Sequence, residues 1–316
     1  MMLIEAIHEY VRLKRSLGAI YTTEEKRLRS FARSVGEVSI QDVTPDQCQQ
    51  FSFGSKPPTR FGVHKHQVLK RFFSHLVKRG LLLASPADSP TPRVAITFEP
   101  HVYSHAELTL LLEGSLQLDR RFYFDGHTLR SMLLLLYATG LRIGEALALR
   151  FCDVDLDERI VTVWRAKFFK SRLVPIGKEL VLSLNTHRDR RQAFPRLADE
   201  RSPFFSTRSG HAIRRTRVEA AFRRVCDQAG IVRHDDEPHR PRIHDLRATF
   251  AVHRLVDWYR NGIDVQQRLP ALSTYLGHTD PSGTQQYLRM TSELLTEASK
   301  RFESYAITER KGAAHE

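Results

Sequence analysis

Apolar residues recur at helical spacing through the first eighty positions. In "LIEAIHEYVRLKRSLG" Leu3, Ile7 and Val11 share one face, and Gly18 ends the run. "TTEEKRLRSFARSVG" predicts a second helix, capped by its threonines, led by glutamates and burying Leu28, Phe31 and Val35. Pro45 in "VTPDQCQQF" opens a short third helix. After "GSKPPTR" a longer pattern turns Val68, Leu69, Phe72, Phe73 and Leu76 inward, and Lys65, Lys70, Arg71, Lys78 and Arg79 outward. A solvated helix face explains those cations as well as a binding surface does. "ASPADSPTPRV" at 84–94 carries three prolines and breaks all periodicity, which is the strongest linker signal in the chain.

The remainder is mixed. "SHAELTLLLEG" and "HTLRSMLLLLYATG" read as helices, and "LRIGEALALRF" resumes after Gly140. "IVTVW" alternates as a strand, "RAKFFKS" turns back, and "RLVPIG" returns as its hairpin mate. Helical patterns follow at 178–192, 214–229, 244–260 and 284–303. The expected fold is mainly α with a small antiparallel β-sheet, in two unequal domains. Their expected limits are 1–83 for a helical module, 84–100 for a linker, 101–306 for a second domain and 307–316 for a tail.

Composition narrows the class. Of 316 residues 41% are hydrophobic and 27% charged, the balance of a soluble globular protein. The longest apolar run, "MLLLLYA", is too short to span a bilayer, and Glu5 and Glu9 do not fit a secretion leader. Cys48, Cys152 and Cys226 lie far apart without metal-ligand spacing, so reduced thiols and a cytoplasmic location are expected, with no metal and no cofactor. Forty-nine basic residues against 36 acidic ones leave a net charge of +13. The excess is spread along the chain, as suits a protein that covers a polyanion with more than one surface. Nucleic acid is the leading partner, because Lys and Arg neutralise phosphates; a merely basic soluble protein is the alternative.

Four blocks of the second domain combine chemistry-bearing residues. "ATGLRIGEALALR" sets Arg142 after a glycine turn, with Glu145 three residues on, either a surface ion pair or a guanidinium oriented by a carboxylate. "RAKFFKSRLVP" puts Lys167 and Lys170 at a hairpin tip, where most lysines are simply solvated. "RIHDLRATFA" places His244 and Arg247 on one helical face. "YLGHTDPSGTQQYLRM" brings His278 and, nine residues later, Tyr287 on an expected helix. A single His or Tyr in a helix is more often packing than chemistry. As a set, however, two arginines, a lysine, two histidines and a tyrosine equip a site for phosphodiester transfer without metal. Guanidinium forks match the charged non-bridging oxygens. A tyrosine hydroxyl can attack phosphorus, and a lysine can protonate the departing oxygen.

In order and spacing the blocks resemble the tyrosine recombinase (phage integrase) family, over about residues 100–300. The first domain resembles that family's helical, SAM-like core-binding module more loosely. The resemblance implies that Arg142 and Arg247 hold the scissile phosphate and that His244 and His278 hydrogen-bond to it. It makes Lys167, five residues before Arg172, the general acid, with Lys170 secondary. Tyr287 becomes the nucleophile that forms a 3′-phosphotyrosyl bond. It further implies a C-shaped clamp on double-stranded DNA with paired inverted core sites, a homotetramer on that DNA, possible pairing with related recombinases, and the segment 292–306 docking on a neighbour. "LPALSTYLGHTDPSGTQQYL" is most like integrases of mobile elements. Lys65, Lys70, Arg71, Arg214, Arg215 and Arg217 are candidate DNA contacts, the last three in the arginine-rich stretch 208–224. A type IB topoisomerase and a non-catalytic DNA-binding relative are the rival readings.

Overall fold

The computed structural model describes residues 1–55, 57–94, 99–118, 122–164, 171–192, 199–233, 240–278 and 282–289, together with Thr296 and Ser299. The chain divides into two compact units, Met1–Thr97 and Phe98–Glu316.

The first unit is built from α1 (Leu3–Ser16), α2 (Thr22–Val35), α3 (Pro45–Ser52) and α4 (Arg60–Lys78). Leu3, Ile7 and Val11 of α1, Leu28 and Phe31 of α2, and Val68, Leu69, Phe72 and Phe73 of α4 meet in one core. The N-cap of α2 departs from expectation. Tyr21, not a threonine, occupies it in the left-handed region (φ 52°), and no side chain caps the first turn. Tyr21 is held there by its ring, edge-on to Tyr10 at 5.7 Å, so tertiary packing overrides the local capping signal. The proline-rich segment that follows α4 is partly built into this unit. Ala87 is fully buried in the core, the Ser89 carbonyl accepts from His66 Nε2 at 3.0 Å, and Asp88 pairs with Lys70 at 3.4 Å.

The second unit begins with α5 (His105–Leu116), α6 (Gly126–Thr139) and α7 (Ile143–Ala148). Ser104 and Glu107 form a reciprocal cap on α5, and the Asp125 carboxylate accepts from Thr128 N at 2.7 Å to start α6. A three-stranded antiparallel sheet follows in the order β1 (Val154–Asp155), β2 (Ile160–Val163), β3 (Arg172–Pro175), with Val161 opposite Val174 and Val163 opposite Arg172. Then come α8 (Lys178–Gln192), α9 (Arg215–Gln228), α10 (Asp245–Arg260), α11 (Val265–Leu276) and the single turn α12 (Ser282–Gln285).

Two hydrophobic clusters lie inside this unit. The larger gathers α5, α6, the sheet, α8 and α9 around residues such as Met132, Leu135, Val161, Val174 and Phe222. The smaller joins α10 and α11 through Phe250, Leu255, Leu269, Leu272, Leu276 and Tyr287. Helix α10 belongs to both, with Leu246 in the first and Ala248 onward in the second. Tyr103 pins the entry segment to α10, donating from its amide to Thr249 Oγ1 and from its hydroxyl to the Arg242 carbonyl, each at 3.0 Å.

The pattern at 284–303 predicts one continuous helix, yet Tyr287 lies in a 3₁₀ turn, Gln286–Arg289, directly after α12. Ser282 and Gly283 are weak helix formers, so only one α turn forms before the backbone tightens. Of the segment 292–306 only Thr296 and Ser299 are described, both helical.

Candidate active site

The site forms where α6, α7, β3, α10 and α11 approach one another. Gly140 ends α6 in the left-handed region (φ 61°), which turns the chain so that Arg142 becomes the N-cap of α7. Glu145 then does two things. It accepts from the Arg142 backbone amide at 3.0 Å and from Arg142 Nη1 at 2.9 Å, holding the guanidinium back along its own helix. Arg142 Nη2 also reaches the Gly277 carbonyl at 3.3 Å. The sequence alternatives for the Arg142–Glu145 pair therefore resolve: Glu145 is largely buried, and Arg142 keeps about a third of its side chain in solvent (34%).

Arg247 projects from the first turn of α10 and is buried. Its Nη1 donates to the Gly140 carbonyl at 2.6 Å and its Nη2 to the Leu276 carbonyl at 2.7 Å, so both ends of the fork are fixed by backbone. Tyr287 is buried close enough to Arg247 for the two to interact electrostatically. Burial, then the like charge of Arg142, lower the Arg247 pKa to about 10, with Tyr287 and Glu145 opposing. That is still a cation at neutral pH, but one whose charge is poorly solvated and available to an incoming anion.

His278 follows Gly277, the left-handed C-cap of α11 (φ 69°). Its Nδ1 pairs with Thr284 Oγ1 at 2.7 Å, and its ring stacks against Tyr287 with centroids 6.1 Å apart. Burial and the charges of Arg247, Arg142 and Arg172 bring its pKa down to about 4. His244 keeps solvent access at the start of α10, but the crowding around it and then Arg247 lower its pKa too. Both imidazoles are thus neutral near pH 7 and able to donate a hydrogen bond without adding charge.

Five of the six residues singled out in the sequence, Arg142, His244, Arg247, His278 and Tyr287, come together. The sixth, Lys167, and its neighbour Lys170 lie outside the described residues. Among the described residues no group of His, Cys, Asp and Glu is arranged to hold a metal ion, and no helix is long and apolar enough to cross a membrane. Arg172 and Thr284 belong to the cluster although their chemistry is not announced by spacing. The separation of 27 residues between Glu145 and Arg172 hides that pair from any local pattern.

The candidate DNA contacts sort differently. Lys65 is turned inward: its ammonium donates to the Phe51 carbonyl at 2.9 Å and lies 4.4 Å from the centre of the Phe51 ring. Lys70 is half-buried and paired with Asp88, whereas Arg71 is exposed. Arg214, Arg215 and Arg217 are exposed at the start of α9, Arg215 bonded to Glu219 at 2.7 Å and Arg217 over the Tyr123 ring at 5.6 Å.

The model of the Phage integrase family matches residues 117–293. A putative integrase/recombinase, y4rE, of Sinorhizobium fredii is 32% identical over 301 residues, covering 94% of each chain. Tyrosine recombinase XerD of Ralstonia nicotianae is 33% identical over 240 residues, 73% of this chain and 69% of the relative. Among solved structures, a lambda integrase tetramer bound to a Holliday junction superposes with a TM-score of 0.64 at 14% identity, covering 89% of this chain and 78% of that one.

Proposed function

The chain belongs to the phage integrase family of tyrosine recombinases, and we propose that Tyr287 is the nucleophile with which it cuts and rejoins DNA at specific sites. Arg142 and Arg247 receive the non-bridging oxygens of the scissile phosphate, whose negative charge grows as a fifth oxygen approaches phosphorus. His244 and His278 add neutral donors. With Thr284 donating to Nδ1, the Nε2 proton of His278 is left for a phosphate oxygen. The Tyr287 oxygen attacks phosphorus as its proton passes to solvent, while Arg247 stabilises the developing phenolate. The bond to the 5′-oxygen breaks, and Lys167 supplies the proton that makes it a hydroxyl. The covalent 3′-phosphotyrosyl bond retains the energy of the phosphodiester. A new 5′-hydroxyl can therefore reverse the step without ATP or metal.

The observation that carries this reading is that Tyr287 is buried and stacked on the His278 ring, within the electrostatic reach of Arg247. A tyrosine kept only for packing has no reason to lie among two arginines and a neutral histidine. Tyr275, the nearest competitor among the described residues, spends its hydroxyl on the Pro175 carbonyl at 3.0 Å. The tetramer of the lambda integrase neighbour supports four protomers on paired inverted core sites, with the segment 292–306 reaching a neighbour. The integrase relative supports a role in moving a mobile element. The basic residues Arg71, Arg214, Arg215 and Arg217 would meet DNA phosphates.

The test begins by selecting the preferred duplex from a randomised pool with the parent protein. On a nicked suicide duplex carrying that site, the parent accumulates a covalent protein–DNA adduct. Tyr287→Phe loses the adduct while DNA affinity and its salt dependence stay within about twofold, because phosphate contacts set both. Persistence of the adduct in Tyr287→Phe, with loss in Tyr275→Phe, Tyr259→Phe or Tyr305→Phe, would move the nucleophile.

A further inference from the structure

Arg172, the first residue of β3, ties three parts of the site together. Its Nη2 donates to Glu145 Oε2 at 2.8 Å and its Nη1 to Oε1 at 3.2 Å, a two-pronged grip on the carboxylate that in turn holds Arg142. Its Nε donates to the Tyr275 carbonyl at 3.0 Å, in the last turn of α11. The packing beneath is close. A Cβ on Gly277 would lie 2.8 Å from Arg172 Nη1 and 2.9 Å from Cζ, so only glycine lets the chain pass over the guanidinium on its way to His278. Both sides of the Arg172–Glu145 pair are mostly sequestered, at 12% and 11% side-chain exposure.

The charges on this cluster decide what Arg172 does. Burial alone would raise the Glu145 pKa, but the Arg172 fork, the Arg142 amide and the two guanidinium charges hold it below the usual carboxylate range. Glu145 is therefore an anion shared by two arginines. Were Arg142 its only partner, the carboxylate would draw Arg142 into a closed bidentate pair, the preferred geometry of an isolated Arg–carboxylate couple. Arg172 occupies both oxygens, and the Arg142 fork is left with one side-chain bond to Glu145 and one long contact to the Gly277 carbonyl.

We propose that Arg172 is a positioning residue which, by saturating Glu145, keeps the Arg142 guanidinium open toward the scissile phosphate. It touches no reacting atom; it acts through Arg142. The inference rests on the phosphoryl-transfer reading of the site, and the experiment separates failure of the one from failure of the other.

The selected suicide duplex is used in three forms: unmodified, with sulfur replacing the 5′-bridging oxygen, and with a methyl group replacing one non-bridging oxygen of the scissile phosphate. If the parent forms no adduct on the unmodified duplex, the reading of the site fails and this proposal with it. With an active parent, Arg172→Gln should bind DNA within about twofold of the parent yet form adduct about 100-fold more slowly, the scale expected when a reacting group is misplaced by about an ångström. Arg172→Lys, which keeps the charge but loses the fork, should fall between the two. In an Arg142→Ala background the same Arg172→Gln change should cost less than about threefold, because residues that act as a unit are not additive. The methyl substrate, with one phosphate charge removed, should narrow the Arg172→Gln defect; the sulfur substrate, which removes only the need for a proton donor, should leave it unchanged.

Full additivity in the double variant would overturn the proposal, since it would mean that Arg172 acts independently of Arg142. Rescue by sulfur would overturn it in another way, by making Arg172 a support for the lysine hairpin. Thermal melting accompanies each variant. If Arg172→Gln does not fold, Arg172→Lys in the parent and Arg142→Ala backgrounds is decided by the same additivity test.

Discussion

At the scale of single residues, the protein places titratable groups where water cannot serve them and lets neighbouring dipoles and charges set their state. His187 shows this away from the site. It is buried against Phe204 and Phe205, its Nε2 pairs with the Phe204 carbonyl at 3.0 Å, and burial brings its pKa down to about 4. The folded protein thus takes up this proton later than the unfolded chain does. Its contribution to stability is complete above about pH 6.5 and is lost as pH falls toward 4, by roughly 3 kcal/mol for a shift of this size. His187→Gln, which can still donate to the Phe204 carbonyl, should remove that part of the acid sensitivity. Urea unfolding at pH 7 and pH 4 checks it: equal losses in parent and variant would mean that His187 is not held neutral by the fold. Residue identities are the most legible level of the site, because the motif spacings single out Arg142, His244, Arg247, His278 and Tyr287. Arg172 enters the sequence pattern only as the residue five positions after Lys167. Its grip on Glu145 joins a strand to a helix, and no one-dimensional spacing encodes that.

At the scale of elements, the site depends on two glycines that end helices. Gly140 closes α6 with φ 61°, and its carbonyl receives Arg247. A Cβ there would lie 2.6 Å from Leu276 Cδ2 and 2.7 Å from Phe250 Cδ1, so alanine meets both backbone strain and a full core. Gly140→Ala should cost about 2–4 kcal/mol, the sum of a left-handed non-glycine residue and an overpacked contact. Its adduct rate should fall further than its DNA affinity, because the carbonyl that anchors Arg247 moves. Chemical denaturation and suicide-substrate kinetics on the same preparation test both. If stability drops and the adduct rate holds, the Gly140 carbonyl is not what anchors Arg247. Helix positions followed well from apolar periodicity, since α1, α4, α5 and α6 each bury one continuous face or run. Helix ends did so less. Tyr21 took the cap that threonine chemistry predicts, because a ring–ring contact with Tyr10 outweighed one side-chain hydrogen bond. Tyr287 landed in a 3₁₀ turn because the periodicity of 284–303 says nothing about where the chain must tighten to meet α10.

At the scale of the whole molecule, the pattern of the chain separates a helical segment from a mixed one, and the structure forms two compact units. What composition could not disclose is that the second unit contains two cores. Arg142 hangs from the larger, Tyr287 and the residues before His278 belong to the smaller, and α10 threads both. Near the site, hydrogen bonds that cross between them include Arg172 to Tyr275, Arg142 to Gly277 and Tyr275 to Pro175. Because its apolar residues form a cluster of their own, the smaller core should open as a cooperative block below the free energy of global unfolding. Native-state hydrogen exchange should find the amides of α11 released through a lower-energy opening than those of α6, and Arg172→Gln should lower the first without moving the second. Equal protection of both helices would mean that the unit opens as one. The consequence reaches past stability. On the proposed roles, an opening of the smaller core would carry Tyr287 away from Arg142, so each such excursion would leave two halves of a cutting machine and no whole one until the cores meet again.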